Sequence, residues 1–544
     1  MPIEQSQSGR RVILASNRGP VEYSLDKNGA VRTKRGAGGM VTALQPAINY
    51  APPGGFTWVA IAMTEGDRLV AQRQAEANKA KSDDAEQPIG ATNGATPSSG
   101  LDSKTHRKSH TRPLLDASRY VSVPPAIYKR FYDRISNQVL WFLQHYLWNQ
   151  IEEPTFTAQN YEEWEQGYVQ VNQAIANAVC EEVLRKPGPA LVMFQDYHLY
   201  LAPEMVRQGL KREGRLEETI LQHFIHIPWP SLRYWQLLPR TWLLAIYESV
   251  LANDILGFQT NLDMMNFLSS TQVLLGDAQI TYDKRGGRIV WRNHTTYARA
   301  YPISIDVDEV RQNAARGERL HANELRPLLG AQTIMRVDRL EPTKNIVRGF
   351  EAFELLLSRR HDLIGKVKFL AFLIPSRESI KIYRHYGRRV HQIIDKINET
   401  YGHDGWQPIE AFFENNRARA LAAMRHYDVL LINPLIDGMN LVAKEGPIVN
   451  QQDGVLILSE TAGASQQLHE SALTIIPTDV EETARELINA LEMPAEERRK
   501  RSDLARANIE RENLEAWLRQ QFMDVEEISR RPSTPQVTVP EKRS

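Results

Sequence analysis

Two basic residues, Arg339 and Lys344, stand between an apolar run and an amphipathic segment. The run Thr333–Val337 is typical of a buried strand, and the segment from Asn345 is typical of a helix. Two cations beside a helix N-terminus, whose dipole also favours negative charge, are suited to bind a diphosphate. An exposed Arg and Lys in a loop would give the same pattern, so the spacing alone leaves both interpretations open.

A second candidate site follows the apolar run Val429–Ile432. Its sequence is Asp437-Gly438-Met439-Asn440-Leu441, which predicts a flexible Gly and several unpaired N–H groups at a helix start. Glu445 lies one turn beyond Leu441, where its carboxylate could accept hydrogen bonds from a vicinal diol such as ribose. In the alternative interpretation, Asp437 caps the helix and Glu445 is a surface charge.

Arg18 and the glycine-rich segment 35–40 follow the first predicted strand, Val12–Ala15. Glycines let backbone amides approach an anion closely, and the Arg18 guanidinium suits phosphate. A plain tight turn explains the same residues, and the segment is not the G-x-G-x-x-G fingerprint of dinucleotide sites.

Polar residues also follow three further apolar runs. Asp196 and His226 follow runs in the first half of the chain, where they could hold sugar hydroxyls or move a proton. Arg377, after the run Val367–Ile374, is a cation at a strand end that could reach phosphate. A lone His is more often structural, so the functional interpretation depends on these strand ends converging.

We expect neither a metal nor another cofactor. Asp306-Val307-Asp308 matches the short D-x-D pattern by which some nucleotide-sugar enzymes hold a divalent cation, but three residues carry little information. Arg339 and Lys344 can neutralise a diphosphate without a metal. The sequence has no H-E-x-x-H, Walker or G-x-S-x-G motif.

The charges of the chain balance, with 66 Lys and Arg against 66 Asp and Glu. No net field draws the protein to nucleic acid or to an acidic membrane, so small molecules are the expected partners. The one cysteine, Cys180, lies in a helical pattern, where we expect it to pack and not to react. The sequence has no run of 18 uncharged apolar residues, so we expect a soluble cytoplasmic protein, with a homo-oligomer left open.

Short apolar runs alternate with amphipathic segments along the chain. This alternation predicts an α/β fold with parallel sheets covered by helices on both faces, and ligands then bind beyond the C-terminal strand ends. Helical spacing is clearest over residues 164–179 and 346–356. The predicted strands are Val12–Ala15, Leu191–Phe194, Ile220–Ile225, Ile255–Phe258, Thr333–Val337, Val367–Ile374, Val429–Ile432, Val455–Leu458 and Leu473–Ile476.

A length of 544 residues suits two large domains with tails. We predict a first domain over residues 11–302 and a second over 303–505. A helical stretch over 506–529 is expected to pack back on the first domain. The ends, residues 1–10 and 530–544, are predicted to be disordered.

One segment interrupts the alternation. Residues 68–112 are rich in Ala, Gln, Ser, Lys and Asp, and they contain few of the apolar residues that could offset the entropy of ordering. They predict a mobile insertion with a short helix near Asp67–Ala77.

Several motifs, in their order along the chain, resemble the trehalose-6-phosphate synthase family of retaining glycosyltransferases, family 20. The resemblance runs from about residue 11 to residue 520 and skips the insertion. The motifs are NRGP and GAGGM near the N-terminus, SNQVLW (Ser136–Trp141), QDYHL (Gln195–Leu199), FIHIPWP, GFQT (Gly257–Thr260), YPISID, VDRLEPTKN, PSR and DGMNLVAKE.

This resemblance implies the GT-B architecture, in which two Rossmann-like domains face each other across an active-site cleft. The second domain would mainly hold the nucleotide sugar. Arg339 and Lys344 would bind its diphosphate and Glu445 its ribose. Residues 437–441 would cradle the transferred sugar and the phosphates, and the pair Gly38 and Gly39 would close over the donor.

The first domain would mainly hold a sugar-phosphate acceptor. Asp196 and His226 would line the reaction centre, and Asp196 would also contact the acceptor. The residues implied to hold the acceptor and its phosphate are Arg18, Tyr132, Trp141 and Arg377.

The implied reaction moves glucose from a nucleoside-diphosphate glucose to glucose 6-phosphate and gives trehalose 6-phosphate. It is a front-face substitution without an enzymatic nucleophile. The leaving phosphate accepts the acceptor's proton, while Arg339 and Lys344 stabilise the developing charge. UDP, GDP and ADP all remain open as the nucleotide.

One position departs from the family pattern on the acceptor side. The family's W-x-G-W-S/T-G is Trp58-Val59-Ala60-Ile61-Ala62 here, so Ile61 replaces the Trp that packs on the acceptor sugar. An aliphatic side chain cannot stack on a sugar face or donate an indole N–H.

Three alternatives therefore stay open. One is a pseudo-glycosyltransferase, similar to validoxylamine 7′-phosphate synthase, that joins a nucleotide-activated cyclitol to an aminocyclitol phosphate through nitrogen. Another is glucosyl transfer to glycerol 3-phosphate. The third belongs to a different class and is a non-catalytic sensor of sugar phosphates.

Overall fold

A computed structural model describes residues 9–36, 39–85 and 117–530. Residues 1–8 and 531–544 of the predicted disordered ends lie outside this part of the chain, as do residues 86–112 of the predicted insertion. The chain separates into two compact units. Unit 1 comprises residues 1–132, 160–223 and 248–253, and unit 2 comprises residues 133–159, 224–247 and 254–544.

Unit 1 contains a parallel sheet with the strand order β5-β4-β1-β6-β7. Strand β1 lies between β4 and β6 and runs parallel to both, and its alternating Val12 and Leu14 are fully buried. A separate antiparallel hairpin pairs β2 with β3. The strands are β1 Arg11–Ser16, β2 Val21–Leu25, β3 Val31–Arg35, β4 Phe56–Ile61, β5 Ser118–Val121, β6 Ala190–Gln195 and β7 Thr219–Phe224.

The first four strands of unit 2 lie in the order β8-β11-β10-β9. Strand β11 is parallel to β8, but β9, β10 and β11 pair antiparallel, in contrast to the parallel sheets predicted throughout. The β10–β11 pair is joined by a tight two-residue turn at Arg292 and Asn293, whose φ angles of 46° and 62° suit a hairpin. The strands are β8 Ile255–Phe258, β9 Gln279–Asp283, β10 Gly286–Trp291 and β11 His294–Ala300.

The second sheet of unit 2 has six parallel strands in the order β14-β13-β12-β15-β16-β17. Ile334, Phe369, Leu431 and Ile457 are fully buried in its core, and each such side chain contributes about 1.5–3 kcal/mol of burial free energy. The strands are β12 Gln332–Arg339, β13 Val367–Ile374, β14 Ile409–Phe412, β15 Val429–Ile432, β16 Val455–Ser459 and β17 Leu473–Ile475. The strands expected from all nine apolar runs are confirmed.

Helices surround these strands. The two helical patterns predicted from spacing are confirmed, the first as a π-helical turn followed by an α-helix. The α-helices are Gly39–Leu44, Glu65–Ala85, Pro125–Lys129, Trp141–Gln144, Ala158–Glu163, Gln170–Leu184, Ala202–Arg212, Leu232–Trp235, Arg240–Val250, Asn261–Leu274, Val307–Leu325, Ile346–Arg359, Lys381–Tyr401, Arg417–Ala423, Val442–Val449, Ser465–Leu468, Val480–Glu492, Ala495–Arg511 and Leu514–Ser529. The π-helices are Arg130–Leu140 and Trp164–Val169, and the 3-10 turns are Gln45–Tyr50, Tyr197–Leu199, Arg326–Leu328, Pro342–Lys344 and His361–Leu363.

The helix Glu65–Ala85 is longer than the short one predicted near Asp67–Ala77, and it occupies the start of the predicted mobile insertion. Its Ala, Gln, Arg and Lys residues favour helix even without a continuous apolar face. Gln74 ties the helix to β5, because its side chain donates to the Ser118 carbonyl at 2.8 Å and accepts from the Tyr120 N–H at 3.1 Å.

The last helix, Leu514–Ser529, packs beside strand β11. The Trp517 indole N–H donates to the Tyr301 carbonyl at 3.1 Å, and the Tyr301 hydroxyl donates to the buried Asp524 carboxylate. Both Tyr301 and Arg285, which forms an ion pair with Asp524, precede the predicted boundary at residue 302. The boundary itself stays a prediction. In the described part of the chain, no helix has the length and apolarity needed to span a bilayer.

Candidate active site

The loop after β15 carries Asp437, whose carboxylate forms an ion pair with Lys344. The same carboxylate accepts a hydrogen bond from the Asn440 side-chain amide at 3.1 Å. Burial alone would raise the pKa of Asp437, but the nearby charges of Lys344 and Arg339 lower it below its usual value. The carboxylate therefore stays ionised and holds the Lys344 ammonium beside the loop.

The sequence predicted a helix start within residues 437–441, but the helix that follows begins at Val442. The Asn440 side-chain oxygen accepts a hydrogen bond from the Ala443 N–H at 3.2 Å, so Asp437 does not cap this helix. The predicted relation between Leu441 and Glu445 is confirmed, since the Glu445 N–H donates to the Leu441 carbonyl at 2.8 Å. Strand, loop and helix thus place residues 437–441 between Lys344 and Glu445.

Two glycines let three backbone segments meet at this loop. A Cβ on Gly438 would lie 2.2 Å from the His226 carbonyl oxygen, and one on Gly463 would lie 1.9 Å from the Gly438 carbonyl oxygen. No other residue type fits at such distances. The buried Met439 is held in turn by its carbonyl, which accepts from the Ala464 N–H at 2.9 Å. The structure therefore brings His226 to the 437–441 loop.

Glu445 lies on the helix Val442–Val449 and accepts a hydrogen bond from the Arg417 guanidinium at 2.7 Å. The Glu445 side chain is 13% exposed and that of Arg417 is 45% exposed. The contact uses Oε1 of Glu445. A carboxylate has several acceptor positions on its two oxygens, so Glu445 can still accept hydrogen bonds from a vicinal diol.

Arg339 and Arg377 share one carboxylate. Arg339 ends strand β12, and its guanidinium lies 2.8 Å from Oε1 of Glu341. Arg377, after β13, lies 3.5 Å from Oε2 of the same residue. Burial would raise the pKa of Glu341, but Arg339, Arg377 and Lys344 lower it below its usual value. The two predicted phosphate-binding arginines are thus joined by a buried anion.

The Trp141 ring packs against Arg377 and His145. The Arg377 guanidinium carbon is 4.0 Å from the ring centroid, and the His145 ring stacks on Trp141 with centroids 3.9 Å apart. The ring is 5% exposed. Arg377 also donates to the Tyr383 hydroxyl at 2.8 Å. Trp141 therefore contacts a phosphate-binding candidate.

His145 is buried beside the same charges. Burial lowers its pKa to about 4, although the Trp141 carbonyl, Asp437 and Glu341 favour the protonated form. The ring nitrogen Nδ1 lies 2.9 Å from the Trp141 carbonyl oxygen. At neutral pH the ring is uncharged, so it adds no cation to the cluster.

In unit 1, Arg18 lies next to an aromatic stack. Burial lowers the pKa of Arg18, but a hydrogen bond with Tyr132 and the nearby Tyr128 and Glu22 raise it above its usual value. Tyr132 stacks on Tyr128 and on His198, with interplanar angles of 9° and 10°. The predicted pair Arg18 and Tyr132 is therefore brought together.

A pocket in unit 1 opens beside Arg18 and contains Ile61. Ile61 ends strand β4 and is 1% exposed. Three backbone N–H groups, those of Tyr23, Met63 and Thr64, donate to the Asp67 carboxylate. Arg18, Glu22 and Asp67 are the charged residues that line the pocket. The lining residues are Arg18, Gly19, Val21, Glu22, Gly36, Ile61, Met63, Asp67 and Tyr120.

Asp196 follows strand β6 in a strained conformation, with φ at 69°. Its carbonyl oxygen lies 3.0 Å from Nε2 of the buried His223. Asn345, Arg377 and Asn440, all at predicted site segments, also have positive φ. Strained backbones of this kind concentrate at functional sites.

The glycine loop is described only in part. Gly39 begins the helix Gly39–Leu44, whereas Gly38 lies outside the described residues, so its predicted role in closing over the donor stays a prediction.

The D-x-D segment has a structural explanation. The Asp306 side chain accepts a hydrogen bond from the Glu309 N–H at 2.9 Å and caps the helix Val307–Leu325. Across residues 9–36, 39–85 and 117–530, no three His, Cys, Asp or Glu side chains gather into a cluster that could hold a metal ion.

Sequence reasoning missed three residues of this site: Glu341, His145 and Arg417. Glu341 was part of the motif VDRLEPTKN, and its place between two arginine-bearing strand ends was the available signal. His145 lies four residues after Trp141, which is one helical turn. For Arg417 no signal was available, because its partner Glu445 lies 28 residues later.

The family model described as Glycosyltransferase family 20 matches residues 10–527. The chain belongs to glycosyltransferase family 20.

This glycosyltransferase is 34% identical over 393 residues to the bifunctional trehalose-6-phosphate synthase/phosphatase of Thermoproteus tenax. That similarity covers 71% of this chain but 50% of the relative, so the chain spans half the relative's length. It is 26% identical over 522 residues to the validamine 7-phosphate valienyltransferase of Streptomyces hygroscopicus subsp. jinggangensis, covering 95% of this chain and 94% of that one.

Among solved structures, the glycosyltransferase is similar to an alpha,alpha-trehalose-phosphate synthase (UDP-forming) from Burkholderia xenovorans in complex with glucose-6-phosphate. The TM-score is 0.72 at 26% identity, and the similarity covers 95% of this chain and 100% of that one. The predicted α/β fold of GT-B type, with parallel sheets in two domains, is confirmed.

Proposed function

We propose that this family 20 glycosyltransferase transfers glucose, with retention, from a nucleoside-diphosphate glucose to glucose 6-phosphate and so forms trehalose 6-phosphate. The observation that carries the proposal is the cluster of Lys344, Asp437, Arg339, Glu341 and Arg377 at the ends of parallel strands. Two of its cations suit a diphosphate and the third suits a separate phosphate. Similarity to trehalose-phosphate synthases supports this assignment.

On the donor side, Arg339 and Lys344 bind the diphosphate in our proposal, and Glu445 accepts hydrogen bonds from the ribose hydroxyls. Residues 437–441 cradle the glucose and the phosphates in this proposal. The Arg339 side chain is 45% exposed, so it can reach a ligand while its inner side contacts Glu341.

In the reaction we propose, the bond between glucose C1 and the β-phosphate oxygen breaks, and a bond from C1 to the acceptor hydroxyl oxygen forms on the same face. The departing phosphate takes the proton of that hydroxyl. Arg339 and Lys344 stabilise the negative charge that develops on the leaving oxygen. Asp196 and His226 contact the reacting sugars in this scheme.

On the acceptor side, Arg18 and Arg377 bind the phosphate, while Tyr132 orients Arg18 and Trp141 orients Arg377. We further propose that the reaction needs no metal, since Arg339 and Lys344 supply the two positive charges, and that it takes place in the cytoplasm. Turnover that survives EDTA would support the first point, and cell fractionation tests the second.

A second candidate function is favoured by Ile61. This buried aliphatic residue lies in the pocket beside Arg18, where it gives an acceptor sugar no aromatic surface. A cyclitol amine phosphate or glycerol 3-phosphate would then replace glucose 6-phosphate. The similarity to a validamine 7-phosphate valienyltransferase along nearly the full chain supports the first of these two acceptors.

The experiment that tests both functions is a donor-by-acceptor matrix. UDP-, GDP- and ADP-glucose are each combined with glucose 6-phosphate, glycerol 3-phosphate and an aminocyclitol phosphate, and a UDP-, GDP- or ADP-activated cyclitol is included with the last. Products are identified by mass and by NMR, which also gives the anomeric configuration. Trehalose 6-phosphate as the main product supports the first proposal, and a nitrogen-linked or glycerol product replaces it with the second.

A further inference from the structure

Glu341 is a fully buried carboxylate whose two oxygens face two different arginines. We propose that Glu341 is a positioning residue that aligns Arg339 and Arg377 together, so that the donor and acceptor phosphate subsites depend on one buried anion. The inference rests on the proposed function, in which these arginines bind the donor diphosphate and the acceptor phosphate.

The geometry of the two contacts supports a shared role. Arg339 approaches Oε1 and Arg377 approaches Oε2, so neither arginine displaces the other. A guanidinium presents five N–H donors in a planar fork, and fixing one edge of the fork fixes the direction of the opposite edge. Glu341 can therefore orient both guanidinium groups through one carboxylate.

The two arginines differ in what else holds them. Arg377 is 11% exposed, donates to the Tyr383 hydroxyl and packs on the Trp141 ring. Arg339 is 45% exposed, and its guanidinium is 5.6 Å from the Trp141 centroid. Arg339 therefore depends more strongly on Glu341 for its direction, because it has less surrounding structure.

The charge of Glu341 is also required. Removing one partner of a buried ion pair leaves the charge of the other partner without a counter-charge. Glu341 supplies that counter-charge to both arginines when no phosphate is bound. Its pKa is lowered by the surrounding cations, including Lys344, so the carboxylate is ionised wherever the enzyme is folded near neutral pH.

The test compares Glu341→Gln with two variants that affect one side only. Arg417→Gln removes the guanidinium that contacts Glu445 on the donor side, and Tyr383→Phe removes the hydroxyl that contacts Arg377. The full-length proteins are titrated separately with UDP and with glucose 6-phosphate by calorimetry, and kcat is measured for each. Glu410→Gln, which removes the partner of Lys368 in the same sheet, controls for loss of an ion pair elsewhere.

Because Glu341→Gln leaves two arginines without their buried counter-charge, we expect it to weaken the binding of both UDP and glucose 6-phosphate by about threefold or more and to lower kcat by about tenfold or more. Arg417→Gln should weaken UDP alone, and Tyr383→Phe should weaken glucose 6-phosphate alone. Glu341→Asp, which keeps the charge, should recover part of the kcat lost in Glu341→Gln.

A Glu341→Gln protein that loses affinity for one ligand only, or for neither, overturns the inference. If that variant does not fold, Glu341→Asp is judged by the same two affinities. If the wild-type protein binds no glucose 6-phosphate, the proposed acceptor is wrong, and inorganic phosphate takes its place as the probe of the Arg377 side. Failure of the proposed function is thus separated from failure of the inference.

Discussion

The Arg377 guanidinium carbon lies 4.0 Å from the centroid of the Trp141 ring. Arg377 also has a left-handed backbone conformation, with φ at 48°, so its side chain leaves the chain in a direction that an ordinary turn would not give. The indole ring stabilises the cation in that direction. Trp141 therefore acts on the acceptor, in our proposal, through the arginine that it supports.

Replacing Trp141 with Leu should weaken acceptor binding. A cation–π contact contributes about 0.5–2 kcal/mol, which corresponds to a roughly 2- to 30-fold rise in the KM for glucose 6-phosphate. The KM for the nucleotide sugar should change less than the KM for glucose 6-phosphate, because the Arg339 guanidinium lies 5.6 Å from the ring centroid and that of Arg377 lies 4.0 Å from it. Trp141→Phe keeps an aromatic face, so its KM for glucose 6-phosphate should lie between those of the wild type and Trp141→Leu. A larger effect on the donor KM would contradict the assignment.

Arg339→Ala should remove most turnover while the protein stays folded. Loss of one group that stabilises developing charge typically costs about 2.7–4 kcal/mol, or on the order of 100- to 1000-fold in kcat. Arg359→Ala is the matched control, since its side chain is 46% exposed and also forms an ion pair, with Glu481. Steady-state kinetics and thermal unfolding are measured for both variants. A near-normal kcat in Arg339→Ala would contradict the proposed mechanism.

Ile61→Trp should change the acceptor side only. A new aromatic contact with the sugar contributes about 0.5–1.5 kcal/mol, so we expect the KM for glucose 6-phosphate to fall by roughly 2- to 10-fold. The larger ring also overpacks a buried site and lowers stability by about 1–3 kcal/mol. Ile61→Leu controls for a change of shape without an aromatic face. An unchanged acceptor KM in a folded Ile61→Trp protein would argue that this pocket does not bind the acceptor.

Stability should fall as the pH decreases from about 6.5 to about 4. Burial lowers the pKa of His145 from 6.5 to about 4, so in this range the unfolded chain binds a proton that the folded protein does not. The folded state therefore loses about 2 kcal/mol per such histidine between pH 7 and pH 5. His223, with a pKa that burial also lowers to about 4, contributes in the same direction.

Urea unfolding at pH 7 and at pH 5 measures this dependence. His145→Gln should make the fall in unfolding free energy smaller by about 2 kcal/mol, whereas His361→Gln, at an exposed position, should leave it unchanged. The same pH dependence in His145→Gln and in the wild type would show that His145 is not the group responsible.

Much of the fold could be predicted because buried strands of parallel sheets are continuous apolar runs. Strands such as Val367–Ile374 and Val429–Ile432 have the bounds that their sequences indicate. Strand β9, Gln279–Asp283, could not be predicted in this way because it is largely exposed and polar. The helix start at Val442 was placed too early because Asp437 is engaged by Lys344, a contact 93 residues apart in sequence.

The candidate site was predictable where a residue type and a strand end coincide, as for Arg339, Lys344 and Arg377. Glu341, in the motif VDRLEPTKN, and His145, one helical turn after Trp141, left a signal in the sequence, but their partners in the cluster are visible only in the folded structure. The partner of Glu445 could not be found either, since Arg417 reaches it from a different helix.

The backbone contact between Gly438 and His226 also limits how this enzyme can be changed. A library that randomises residues 437–441 would mostly yield inactive clones, because position 438 has no space for a side chain and Gly463 closes the opposite side. Side chains of other sizes fit more readily at Arg417, which is 45% exposed, although Arg417→Gln is expected to weaken UDP binding. Position 438 is therefore the least changeable position of the 437–441 loop, because the backbones at His226 and Gly463 enclose it.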